Sequence, residues 1–200
     1  MNEHQRWISL IVLGAGKSTR FGSNKLLFKL DSETLIESVV RASVQSMVDE
    51  VVVVVGYEAD KIMKALKDLH CKIVFNPTFE EGQSSSVITG IKSVKDHAKA
   101  ALILPGDMPL IRVEYINKVI DEYHSTGSPL VVASYKGRMG HPILVDAGLF
   151  DEVLEIREQT YGLKEVVRRH NADVRLVEVG SIGAVLDVDV RDDLKRIDKE

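Results

Sequence analysis

The run Val51 to Val55, five consecutive β-branched residues, restricts what this chain can fold into more than any other stretch. A strand wet on one side alternates apolar with polar residues. A strand apolar at every position has both faces covered, as in parallel sheets flanked by helices. Further short apolar runs, Trp7 to Leu13, Lys72 to Phe75, Ala100 to Leu104, Leu130 to Ser134, "HPILV" and Val174 to Val179, alternate with segments of helical period. The first helix is expected to open at Ser32, with Ile36, Val39, Val40, Val44 and Met47 recurring every three or four residues. Others are expected at Glu58 to Leu69, Ser84 to Val94, Arg112 to His124, Leu149 to Ile156 and Tyr161 to His170, with a last one from Arg191. Strands alternating with helices imply right-handed βαβ crossovers and an α/β fold, a doubly wound sheet covered on both faces.

Two hundred residues fit one domain spanning 1–200, because a chain of this size buries about 70% of its unfolded surface without staples. With 26 Lys and Arg against 30 Asp and Glu, there is no basic excess to grip nucleic acid non-specifically, so an anion site must be local. The single cysteine, Cys71, excludes a disulfide within the chain and reads as a buried, inert thiol. The polar start "MNEHQRW" and the shortness of every apolar run point to a soluble, cytoplasmic protein with no membrane partner.

Ligands of such sheets bind at the carboxyl ends of the strands, and the unusual stretches of this chain fall there. After the first strand, "LIVLGAGKSTRFGSNKLL" contains Gly16-Lys17-Ser18, the ending of a Walker loop, but Ile11 stands where that loop needs its first glycine. Phe21-Gly22-Ser23-Asn24 then argues against a helix starting at Lys17. What remains is an anion cradle: Gly14 and Gly16 for close backbone approach, Ser18 and Thr19 for hydroxyls, Arg20 and Lys25 for charge. Lys17 is expected to face solvent.

"ILPGDMPL" delivers Asp107 to a strand end, a natural Mg²⁺ ligand opposite a phosphate cradle. In "LDVDV", an extended backbone would put Asp187 and Asp189 on one face with Val188 and Val190 on the other; Asp192 and Asp193 read as a cap before the last helix. "NPTFEEGQSSS" offers Gly82 and three serines at the start of a helix, suited to a base, a ribose or a phosphate. His141, between Gly140 and Pro142, reads either as a turn former or as a substrate contact, while His4, His70, His97, His124 and His170 form no constellation.

These blocks carry a resemblance. "LGAGKSTRFGSNKLL" resembles the L-x-A-G-x-S-x-R-x-G-x-x-K signature of the MobA-like nucleotidyltransferases. "NPTFEEGQSSS", "PGDMPL", "GHPILV" and "LDVDVRDDL" follow in the order seen in its MocA-like branch, the molybdenum cofactor cytidylyltransferases. The resemblance implies a three-layer Rossmann-like nucleotidyltransferase domain, mostly parallel, that uses Mg²⁺ to transfer CMP from CTP to molybdopterin and releases pyrophosphate. It places Leu13, Gly14, Ala15, Gly16 and Ser18 with Gly82, Ser84 and Ser85 around the nucleotide, and Arg20 and Lys25 on the triphosphate. Asp107 and Asp189 take the metal, with Asp187 as second choice, and Ser86 and His141 line the acceptor side. Ala15 matches the CTP-using branch, where the guanylyltransferases carry a second glycine. Guanylyl transfer from GTP, transfer to another small phosphate, a P-loop NTPase and a non-catalytic nucleotide binder are the alternatives. A molybdoenzyme or its chaperone would be the protein partner.

Overall fold

In a computed structural model that describes residues 7–194, seven strands form one sheet with helices on both faces. The elements follow in order as β1 (Trp7–Gly14), the hairpin β2 (Lys29–Leu30) and β3 (Glu33–Thr34), α1 (Leu35–Val44), β4 (Glu50–Val55), α2 (Ala59–Ala65) and β5 (Lys72–Phe75). Then come α3 (Gln83–Val94), β6 (Ala98–Pro105), α4 (Val113–Thr126), β7 (Leu130–Tyr135), β8 (Arg138–Asp146), α5 (Phe150–Leu154), α6 (Leu163–Arg169) and β9 (Val174–Glu178). The sheet order is β5-β4-β1-β6-β8-β7-β9, and every pairing is parallel except those of β8 with β6 and with β7.

The valine run behaves as its composition requires. Val51, Val53 and Val55 enter a core with Ile36, Val39 and Ile116 from α1 and α4, while Val52 and Val54 enter a second core with Val87, Ile91 and Val166 from α3 and α6. None of the five is more than 4% exposed, and each buried side chain of this size stabilises the fold by roughly 1.5 kcal/mol or more relative to exposure. β1 lies between β4 and β6, so the loops after these three parallel strands emerge side by side.

Some boundaries differ from the sequence pattern. The first helix starts at Leu35, not after Ser32, because Thr34 and Glu37 close a capping box: the Thr34 N–H donates to Glu37 Oε2 at 2.8 Å and the Glu37 N–H to Thr34 Oγ1 at 3.3 Å. Met47 lies beyond that helix and is exposed. Cys71 is only half-buried, although burial still raises its thiol pKa. After Arg191–Asp193, a single 3₁₀ turn, the expected last helix falls outside the described residues. Among the described residues no helix is long and apolar enough to cross a membrane.

Two features of β8 fix its surroundings. Gly140 lies so close to the chain after β9 that a Cβ on it would come within 2.0 Å of the Ala184 carbonyl oxygen, a backbone atom that cannot swing aside. His141 follows, and burial, aided by the nearby charge of Lys164 on α6, pulls its pKa down to about 4.

Gly140→Ala should therefore lower stability by about 1 to 3 kcal/mol, the usual effect of overpacking, read as a drop in the urea midpoint at unchanged m-value. His141 gives a pH dependence. The unfolded chain takes up its proton near the ordinary value of 6.5 and the folded chain not until about 4, so the stability is intact above pH 6.5 and is lost as pH falls towards 4. Over that window the wild type should lose up to about 1.4 kcal/mol per pH unit more than His141→Gln, by denaturant titration at several pH values. Parallel pH profiles for the two proteins would contradict the burial of a neutral ring.

Candidate active site

The site is assembled where the chain leaves β1 and β6. After β1, the backbone of Ala15 is buried and its carbonyl accepts from Tyr57 N at 3.1 Å, which fixes the first loop against the end of β4. Gly16 and Lys17 turn outward. Ser18 adopts a left-handed φ of 54° and its carbonyl accepts from Phe21 N at 2.9 Å, folding the loop back on itself. Phe21 is thereby buried against Leu35, Leu186 and Val188. That apolar contact joins residues near the two ends of the chain.

The stretch Leu186 to Asp189 runs alongside Asp107. Val188 N donates to the Asp107 carbonyl at 3.0 Å, and Leu186 and Val188 point into the small core around Phe21. The stretch is not part of the main sheet, and the alternation expected of an extended segment holds as far as Asp189; Val190, expected on the Val188 face, is instead 38% exposed, because the chain turns there into Arg191–Asp193. Asp187 and Asp189 project away from that core, with carboxylate oxygens that lie, together with one of Asp107, within 4.8 Å of one another. Asp193 Oδ2 accepts from Asp189 N and Val190 N, both at 2.9 Å, so the expected cap holds the backbone of a site residue in place.

Lys25 stands among these acids. Its Nζ lies 2.5 Å from Asp107 Oδ2 and 3.1 Å from Asp189 Oδ1, and Arg20 Nη2 lies 2.9 Å from Asp189 Oδ2. Burial disfavours the charge of Lys25, but the two carboxylates outweigh it and hold its pKa above the ordinary lysine value. Burial is also the largest influence on Asp107 and raises its carboxyl above the usual carboxylate range, against the pull of Lys25. Asp107 Oδ1 is buried and finds no hydrogen-bond partner among the described residues. A buried carboxylate oxygen without a donor is costly unless a cation or solvent meets it. Three hard oxygen donors converging beside that orphaned atom fit a divalent cation such as Mg²⁺ or Mn²⁺.

The remaining predicted residues fall in two groups. Leu13 and Gly14 end β1, facing the first loop. Gly82, at a φ of 106°, precedes α3, and Ser84, Ser85 and Ser86 form its first turn with little exposure. Their hydroxyls serve the protein itself. Ser84 Oγ donates to Glu158 at 2.7 Å and Ser85 Oγ to the Gly82 carbonyl at 2.8 Å, while Asn76 Nδ2 donates to Ser85 at 2.8 Å and to Ser86 at 3.0 Å. His141 has Lys164 as its charged neighbour. Lys17 forms a surface ion pair with Glu80 and does not join the acids.

Asn76 and Glu158 escaped the reading of the sequence as site-shaping residues. The Asn-Pro pair at 76–77 was a visible turn signal for the first. Nothing in "REQTYG" marks Glu158, since its partner lies 74 residues earlier.

Residues 10–174 match the MobA-like NTP transferase domain family. A probable molybdenum cofactor guanylyltransferase of Thermococcus sibiricus is 28% identical over 134 residues, covering 66% of this chain and 65% of that protein. One of the same name from Thermococcus kodakarensis is 26% identical over 194 residues, covering 93% and 92%. The bifunctional protein GlmU of Trichodesmium erythraeum is 32% identical over 127 residues, 58% of this chain, which spans only 27% of its length. Among solved structures, Rv0371c of Mycobacterium tuberculosis H37Rv superposes with a TM-score of 0.86 at 23% identity over 98% and 99% of the two chains, which speaks for the fold. The manganese complex of Rv0371c gives 0.80 at 21% over 96% and 98%. The Rv0371c homologue from Mycobacterium sp. strain JC1 gives 0.81 at 27% over 95% and 94%. With a match running from β1 to the start of β9, this chain belongs to the MobA-like NTP transferase family, whose members are nucleotidyltransferases.

Proposed function

We propose that the protein transfers CMP from CTP to the phosphate of a molybdopterin-type acceptor, with Mg²⁺, releasing pyrophosphate. The observation that carries the reading is the convergence of Asp107, Asp187 and Asp189 beside Lys25 and Arg20 at the mouth of the Gly14–Gly16 loop. Three carboxylates against two cations leave the centre one charge negative before metal and nucleotide arrive. Asp107 and Asp189, with Asp187 beside them, would hold the divalent ion, which when bound supplies charge neutralisation to phosphate oxygens.

The work of the chain is placement. Arg20, exposed and reaching from the loop, and Lys25, nearly enclosed, are the groups to receive the triphosphate and stabilise the departing pyrophosphate. The backbone of Leu13, Gly14, Ala15 and Gly16, with Ser18, faces the base and ribose from one side, and Gly82, Ser84 and Ser85 border them from the other. Ser86 and His141 lie towards the acceptor, and His141, neutral at physiological pH, adds no charge there. The acceptor phosphate, already ionised near pH 7, attacks the α-phosphorus; a new P–O bond forms as the bridge to the β-phosphate breaks, and no protein nucleophile is needed. Ala15 supports cytosine as the base.

A second reading, guanylyl transfer from GTP to the same acceptor class, is favoured by the names of the two Thermococcus relatives. A panel of the four NTPs against molybdopterin and sugar-phosphate acceptors, followed by pyrophosphate release, separates the two. The primary reading expects CTP with molybdopterin to be turned over fastest; preference for GTP selects the second, and release with neither base overturns both.

Asp107→Ala should lower turnover by about 100-fold or more, as the loss of one preorganised electrostatic group does, with pyrophosphate release as the assay. Near-normal Mg²⁺-dependent turnover would remove Asp107 from the metal. Arg20→Ala should weaken CTP binding in calorimetry by about tenfold, the loss of a charge-assisted contact, while Lys17→Ala leaves it within about threefold. The reverse pattern would return the loop to the Walker interpretation.

A further inference from the structure

α3 begins without a cap of its own. Gly82 precedes it and supplies no side chain, so the Ser84 N–H needs an acceptor from elsewhere. That acceptor is Glu158, whose Oε2 takes hydrogen bonds from Ser84 N at 2.8 Å and from Ser84 Oγ at 2.7 Å. Glu158 opens the turn Glu158–Thr160, just ahead of α6, so one carboxylate fastens the α6 side of the molecule to the first turn of α3.

The backbones around this contact are shaped to permit it. A Cβ on Gly82 would lie 2.6 Å from Glu158 Cγ, and one on Gly162 would lie 2.6 Å from Ser84 Oγ. Ser84 is 5% exposed, whereas Glu158 lies on the surface apart from this contact. With its N–H engaged, Ser84 is not offered to a phosphate, and what the start of α3 leaves for a ligand is the backbone around Gly82.

We propose that Glu158 is a positioning residue for the nucleotide: by capping α3 from the α6 side it fixes the Gly82–Ser84 backbone against which base and ribose are held. This inference rests on the nucleotidyltransferase reading above. The test measures CTP and GTP binding with Mg²⁺ by calorimetry, and kcat and KM from pyrophosphate release, in three variants. Glu158→Ala should raise the nucleotide Kd and KM at least about tenfold with kcat within about threefold, the loss of two hydrogen bonds to one charged acceptor. Glu158→Gln, whose amide oxygen accepts the same bonds, should return both to within about threefold of wild type. Gly162→Ala, which pushes on Ser84 from the other side, should raise Kd in the same direction and decides the matter if Glu158→Ala does not fold. Unchanged Kd in folded Glu158→Ala or, failing that, in Gly162→Ala overturns the inference, as does a Gln variant no better than Ala. A wild type that binds neither nucleotide overturns the underlying reading, and the inference with it.

Discussion

Three carboxylates with oxygens inside 4.8 Å of one another repel strongly. At about 4 Å and an effective dielectric of about 20, each pair of unit charges opposes assembly by about 4 kcal/mol. The fold tolerates this because Lys25 is pinned between Asp107 and Asp189 and Arg20 lies on the far side of Asp189. Hydrophobic packing of Phe21 on Leu186 and Val188 holds both cations to the acids, since the loop bearing them cannot move without exposing that small core. The same arrangement leaves Asp107 Oδ1 buried and unmet, so the cluster is ready for a further cation.

The larger architecture was legible because it depends on local pattern. Val51 to Val55 announced a strand covered on both faces, and α3, α4 and β5 begin and end close to where periodicity placed them. Boundaries set by capping chemistry were harder: Ser32 and Thr34 are both acceptable caps, and only the position of Glu37 selects the second. Asp187 and Asp189 could be paired from a two-residue period because the residue between them, Val188, is apolar and buried. Their closeness to Asp107 follows from the hydrogen bond between Val188 N and the Asp107 carbonyl, a contact across the chain that no local pattern encodes.

The serines at the start of α3 illustrate the converse. Three hydroxyls before a helix suggested a ligand surface, yet Asn76, Glu158 and the Gly82 carbonyl engage them within the protein. These hydrogen bonds fix the backbone of the first turn of α3. Hydroxyls that the sequence offers to a ligand can therefore be taken up by the protein's own backbone and side chains.

Mn²⁺ binding tests the central claim most directly, since it needs neither the acceptor nor turnover. Electron paramagnetic resonance of Mn²⁺ in the presence of CTP should show the ion bound to the wild type, and that signal should be lost when Asp107 and Asp189 are both changed to Asn. Undiminished binding in the double variant would contradict the account, because the ion would then be held by groups other than the acids gathered around Lys25.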